Sequence, residues 1–241
     1  MRKILLFIGS TFIALVLGVS AFAAWKLYPH HNPLPLNAPL LSSSVNEGIA
    51  RLHNAEALTD YKHLSRSFQA QILASYCGVA SSVSVLNSLG IETDQYKFFN
   101  DEASQIRPQL KVMFGGMTLN DLAGLLTAHG VQVLVHHASQ FSLNDFRSMV
   151  ESNLKTEHDY LIVNYQRAVL GQGKVGHISP LSAYDRVSDS VLIMDAAAHK
   201  YPLTWVPIKM LYAGMKTIDN SSGEMRGFVE VSKKKLKDDQ S

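Results

Sequence analysis

A single cysteine, Cys77, stands in a chain of 241 residues. Its neighbours are of the kind that make a thiol reactive. It directly precedes Gly78, at the head of a stretch with Val79, Val83, Leu86 and Leu89 at helical spacing. A thiol at a helix N-terminus feels the positive end of the backbone dipole, which lowers its pKa and favours the nucleophilic thiolate. Ala74, Ser75, Gly78, Ala80 and Ser81 are small and leave room for a substrate backbone. Gln71 can bring an amide N–H near the sulfur, where it would hold the oxyanion of a tetrahedral intermediate. The competing reading of Cys77 is a small buried hydrophobe.

A nucleophilic thiol needs a base from elsewhere in the chain. Of the ten histidines, His30 and His31 fall in a proline-rich stretch. His136 and His137 are adjacent at the end of a strand pattern, so they point to opposite faces and make a poor joint metal site. His177 is best placed, opening the apolar run Gly176 to Leu181. Asp195 follows four apolar residues, Val191 to Met194, and a carboxylate there is costly unless paired. A short hairpin between the two runs would set Asp195 behind His177, with the imidazole facing Cys77. Taken singly, a structural histidine and a turn aspartate explain these residues; the set with Cys77 and Gln71 favours catalysis.

The elements that must position them follow from periodicity. The Cys77 segment reads as a buried helix ended by Gly90. Thr118 with Asp121, and Ser142 with Asp145, are capping signals that open two more helices. Val131 to Val135, Tyr160 to Tyr165, His177 to Tyr184, Val191 to Ala196 and Phe228 to Val231 read as strands. Helices dominate the first half and strands the second. That segregation predicts an α+β fold, a helical layer on an antiparallel sheet.

The ends differ from this body. Arg2 and Lys3 precede an uncharged apolar run from Ile4 to Trp25, with Ala21, Phe22 and Ala23 before Ala24. Residues 1–27 therefore read as a signal peptide or a retained N-terminal membrane anchor. Either places the body outside the cytoplasm, as a periplasmic or membrane-anchored protein. Residues 28–45 carry four prolines and a serine run and read as a linker; 46–233 form the catalytic body; 234–241 are a charged tail. The leader and the stretch from Lys233 onward hold seven of the 22 basic residues, and that stretch two of the 20 acidic ones. The body is left near −3, no match for nucleic acid.

Five segments also resemble a known family: QILASYCGVASSVSVLNSLGI, GMTLNDLAGLL, LIVNYQR, GHISPLSAYDRVSDSVLIMDAAAHKYPLTWVPIKMLYAGM and EMRGF. In this order they resemble phytochelatin synthases, above all the short bacterial members, from about Phe68 to Lys233. The resemblance implies a papain-like cysteine protease fold and a catalytic set of Cys77, His177 and Asp195, with Gln71 at the oxyanion hole. It implies glutathione as substrate, cleaved at its Cys–Gly bond through a γ-glutamylcysteinyl thioester. It places Asn164, Gly176, Asp219 and Arg226 at the γ-glutamyl end. A forked guanidinium such as Arg226 suits a free carboxylate, although a surface ion pair explains it equally.

The resemblance further implies metal detoxification or glutathione turnover with no tightly bound cofactor. Cadmium or zinc would stimulate as glutathione thiolate complexes rather than through a protein metal site. The membrane would be met only through the N-terminal segment, and a homodimer is left open. The chain ends soon after Lys233 without the cysteine-rich region of plant members, and Ile72 and Leu73 are more apolar than the family pattern. Both features shift the expectation from phytochelatin synthesis towards hydrolysis. The rival readings are an exported papain-like peptidase acting on other peptides, and a non-catalytic protein binding thiols or metal. Comparing γ- with α-linked Glu-Cys-Gly separates the first rival; glycine release separates the second.

Overall fold

The computed structural model describes residues 2–234, and the side chains of residue 13 and of 15–234. In chain order the elements are α1 (Arg2–Leu27), β1 (Leu41–Ser42), α2 (Asn46–Asn54), α3 (Thr59–Ser67), α4 (Cys77–Ser88), α5 (Asp101–Ile106), α6 (Gln109–Gly115) and α7 (Leu119–Thr127). Then come β2 (Val131–His137), α8 (Leu143–Asn153), β3 (Asp159–Gln166), a 3-10 turn (Arg167–Leu170), β4 (Gly176–Asp185), β5 (Ser190–Ile193), β6 (Thr204–Pro207), α9 (Ile208–Met215) and β7 (Gly227–Lys233).

Among the described residues seven strands form one sheet in the order β1-β6-β5-β4-β3-β7-β2, every neighbouring pair antiparallel. The fold is α+β, as the segregation of patterns implied. β3 and β4 lie at its centre and are buried along nearly their whole length, so they read as continuous apolar runs rather than alternating ones.

α4 packs against β4 with Gly78 to Leu86 all buried. Val79, Val83 and Leu86 join Tyr160, Ile162, Ile178 and Met194 in one core cluster. Each such side chain contributes ~1.5–3 kcal/mol by leaving water. Two serines of α4, Ser84 and Ser88, donate back to the carbonyls of Ala80 and Ser84, at 2.8 and 2.9 Å, while the buried Ser82 hydroxyl has no partner among the described residues. Both anticipated capping boxes are present, at Thr118 with Asp121 and at Ser142 with Asp145.

Residues 28–45, expected as a linker, run against the body. Asn32 and Leu34 donate their N–H groups to the carbonyls of His199 and Lys200, Leu40 is buried, and β1 pairs with β6. The prolines fix an extended path without backbone donors, but the residues between them supply the bonds. The leader-or-anchor expectation, residues 1–27, falls in part on residues 1–12 and 14, whose side chains lie outside the described residues. Among the described residues no helix is long and apolar enough to cross a membrane. The charged tail beyond Lys234 also lies outside them.

Candidate active site

Cys77 is the first residue of α4 and is half-buried. As the opening residue of a helix, its backbone N–H has no acceptor within that helix. Gly78 lets the Met117 thioether approach the helix head: a β-carbon there would sit 2.5 Å from the Met117 sulfur and displace it. The Ser81 hydroxyl lies 2.7 Å from the Cys77 carbonyl and 3.1 Å from that of Ile178, tying the head of the helix to β4.

His177 is the second residue of β4 and is buried. Its Nε2 is 2.9 Å from Asp195 Oδ1 and 2.9 Å from the Ser179 hydroxyl. That leaves Nδ1 for the Cys77 thiol, which lines the same cleft. Asp195 follows β5 by two residues, because β5 ends at Ile193 rather than Ala196 as the apolar run implied. Met194 still donates to the Pro180 carbonyl at 3.0 Å, so the hairpin holds the carboxylate behind the imidazole. Oδ1 also accepts the Ala197 N–H at 2.9 Å, and the Ser179 hydroxyl accepts that of Ala196 at 3.0 Å.

One partner escaped sequence reasoning. Arg167, buried at the start of the 3-10 turn, places Nη2 2.7 Å from Asp195 Oδ1 and 2.8 Å from Oδ2. Its guanidinium carbon lies 4.8 Å above the Tyr201 ring, and Nη1 reaches Gln172. The available signal was the cost of burying Asp195, which a single histidine partner offsets only in part. Ser179 was also missed; it shares a strand face with His177 because the two are i and i+2.

Electrostatics couple these groups. Burial pushes the Cys77 thiol up, but its hydrogen bond to His177 and the charges of His177 and Arg167 outweigh that and hold it below the ordinary thiol value. Burial and Arg167 pull His177 down, yet Asp195 and the Cys77 contact leave it above the ordinary imidazole value. Burial also opposes ionisation of Asp195, and His177 and Arg167 overcome it, holding the carboxyl well below the usual range. The directions agree on a thiolate–imidazolium pair backed by a carboxylate.

Gln71 is buried beside the cleft, but its amide nitrogen donates to the carbonyls of Leu73 and Ala74, at 3.0 and 2.8 Å. Both amide hydrogens are thus in use, and serving an oxyanion requires releasing one. Ile72 and Leu73, read from sequence as shifting the balance towards hydrolysis, pack against the core cluster instead of lining the cleft. Asn164, Gly176, Asp219 and Arg226 do come together. Arg226 Nη1 is 3.0 Å from Asn164 Oδ1 and 2.9 Å from Asp219 Oδ2. A β-carbon on Gly176 would meet that same nitrogen at 2.7 Å. Seven of the eight sequence-derived site residues line one cleft of about 600 Å³; the eighth, Asp195, lies behind His177. His136 and His137 are elsewhere, on β2, engaged with Glu230 and with the Met225 carbonyl. Among the described residues no group of three or more metal-ligating side chains is gathered.

The chemistry available is acyl transfer. A thiolate here can attack a carbonyl, an imidazolium can supply the leaving group's proton, and the cationic-polar cluster in the same cleft is suited to a charged substrate end.

The sequence model of the phytochelatin synthase family matches residues 31–228. Glutathione gamma-glutamylcysteinyltransferase 3 of Lotus japonicus is 35% identical over 174 residues, covering 70% of this chain and 36% of that relative. Glutathione gamma-glutamylcysteinyltransferase 1 of Arabidopsis thaliana is 32% identical over 217 residues, 86% of this chain and 44% of the relative. The enzyme of that name from Schizosaccharomyces pombe is 26% identical over 221 residues, 89% and 53%. The chain thus spans between about a third and a half of the length of these relatives.

Proposed function

The chain belongs to the phytochelatin synthase family, and from that premise we propose that it is a γ-glutamylcysteinyl transferase acting on glutathione through Cys77. The observation that carries this reading is the buried line Cys77–His177–Asp195–Arg167 opening into a cleft that also holds Asn164, Asp219 and Arg226. The helix-first, sheet-second layout with the thiol at a helix head and the imidazole on the sheet supports a papain-like assignment.

In the first step the Cys77 thiolate attacks the carbonyl carbon of the Cys–Gly amide. The oxyanion is met by the Cys77 backbone N–H and by Gln71 after it releases one of its carbonyl partners. His177 gives its proton to the departing glycine nitrogen, the C–N bond breaks, and a thioester remains on Cys77. The neutral imidazole then takes a proton from the acceptor as it attacks, and the thiolate is regenerated. With water as acceptor the product is γ-glutamylcysteine. With the α-amine of a second glutathione it is a phytochelatin, the outcome to which the relatives' names point. Water competes because it is far more concentrated, so both products form unless the second glutathione is held.

Arg226 and Asp219 suit the carboxylate and ammonium of the γ-glutamyl end, with Asn164 holding the guanidinium in place. Cadmium or zinc enters as a glutathione thiolate complex, that is, as part of the substrate. The apolar N-terminus serves as a leader or anchor that places this body outside the cytoplasm. Mass spectrometry of the protein mixed with glutathione tests the reading: a γ-glutamylcysteinyl adduct on Cys77 with stoichiometric glycine is expected. Undiminished glycine release by Cys77→Ser would sink it, and equal turnover of α-linked Glu-Cys-Gly would make the protein a general peptidase.

A further inference from the structure

A second, apolar groove adjoins the cleft. Phe22, Ala23, Lys26 and Leu27 of α1 form one wall, and Met113 and Phe114 of α6 the other. Its floor, Ala74 and Ser75, is shared with the Cys77 cleft, and so is Phe114. The end of α1 is fixed rather than trailing. Leu27 packs on the core cluster, and its carbonyl accepts the Ala74 N–H at 2.7 Å, three residues before the nucleophile.

The surface around this groove is unusually apolar. Leu110 and Phe114, i and i+4 on α6, are 66% and 72% exposed, and Phe22 and Trp25 on α1 are 61% and 57% exposed. Upstream, Leu15, Leu17 and Val19 of α1 are exposed as well. Soluble monomers rarely leave a contiguous apolar face of this kind open.

We propose that this face rests on a lipid bilayer and holds the mouth of the Cys77 cleft against its headgroups. Three observations select lipid over other occupants. The uncharged apolar sequence of α1 runs directly into the patch, so one surface continues into the other. At the junction stand aromatic residues and a lysine, Phe22, Trp25 and Lys26, the residue types that settle at a membrane–water boundary. Lys26 lies over both rings, 6.0 Å from the Phe22 centroid and 5.5 Å from that of Trp25. Finally, none of the described residues lining the groove is acidic, while Lys26 and the exposed Lys111 present cations suited to anionic headgroups. The inference rests on α1 being retained as the anchor and is independent of the reaction catalysed.

The test uses the full chain carrying Cys77→Ser, with Phe114→Cys or Leu110→Cys bearing an environment-sensitive dye. A control dye is placed by Val187→Cys, in the turn beyond the far end of β4. That strand has ten residues, so the control lies ~30 Å from the His177 end. Each protein is floated with phosphatidylcholine–phosphatidylglycerol vesicles. Brominated lipid should quench the dyes at 114 and 110 by about twofold or more and leave the one at 187 unaffected, with iodide showing the reverse order. If the protein floats but iodide reaches positions 114 and 110 as freely as 187, α1 is an anchor and the face is not on the bilayer. If it does not float, the anchor reading falls and the proposal with it. Shielding of both positions without vesicles, in a species of twice the mass, would assign the face to a second copy and overturn the proposal.

Discussion

Arg167 meets both carboxylate oxygens of Asp195 through a single Nη2, at 2.7 and 2.8 Å, and shares Oδ1 with His177 Nε2, 2.9 Å away. The carboxylate therefore serves two partners, one permanently charged and one that, in the proposed reaction, gives up its proton during turnover. Buried ion pairs of this kind add little to stability over an apolar replacement, but losing one partner leaves an uncompensated charge. Arg167 also acts beyond its contact: its charge lowers the proton affinity of both Cys77 and His177.

Arg167→Gln should thus move both limbs of the pH profile in one direction. Glycine release needs the thiolate, which gives the rising limb, and the imidazolium, which gives the falling limb. Without the arginine charge both groups bind protons more tightly, so the whole bell shifts to higher pH. At neutral pH the rate should fall by about tenfold or more. A stopped assay of glycine across pH 5 to 10 reads this directly. Unmoved limbs with a uniformly lower rate would reduce Arg167 to a packing residue.

Asp195→Asn keeps the shape but removes the charge that faces both His177 and Arg167. The imidazolium loses its stabilising partner, and kcat should fall by ~10²–10⁴. The Arg167 guanidinium is left buried beside a neutral amide, so stability should also fall, by about 2–4 kcal/mol. Urea unfolding and single-turnover acylation measured on the same preparation separate the two effects. Full activity would make Asp195 a turn residue.

Most of the machinery was legible because it sits where local signals are strong. The helix behind Cys77 has a clear apolar period and a glycine stop, and Thr118 and Ser142 carry capping chemistry that does not depend on tertiary context. The central strands announced themselves as unbroken apolar runs. The two-residue β1 and the four-residue β6 did not, since a strand that short has no period to read, and α2, α3, α5, α6 and α9 are only six to nine residues long. Arg167 was missed because its partner lies 28 residues away and only the pairing of β3 with β4 and β4 with β5 brings them together. Gln71 was anticipated as a free donor, and only the chain's turn through Leu73 and Ala74 shows its amide already engaged.

Gly176→Ala tests the proposed substrate-holding role of the Arg226 cluster without touching the thiol. The new β-carbon would stand 2.7 Å from Arg226 Nη1 and 3.1 Å from Cζ. The guanidinium tip must then leave Asn164 and Asp219. Binding should weaken, with KM for glutathione rising by about tenfold and kcat changing much less, because the group acts on the bound end in ground and transition states alike. A fall in kcat at constant KM would place Arg226 in the chemical step instead.

Asp60 offers a prediction about stability away from the site. It lies in the first turn of α3, fully buried, and neither carboxylate oxygen has a partner. Burial, and then the charge of Asp159, push its pKa up to about 9 from 3.8. A carboxyl held protonated in the fold but ionised in the unfolded chain costs stability as pH rises. The loss begins near the unfolded value of 3.8, grows by ~1.4 kcal/mol per pH unit, and levels off near pH 9, where the folded group ionises too. Asp60→Asn has no proton to lose and should remove that slope. Between pH 5 and pH 8 the natural chain should lose about 2–4 kcal/mol relative to the variant, measured by urea unfolding at both values. Parallel curves for the two proteins would mean that Asp60 ionises in the fold, with its oxygens solvated.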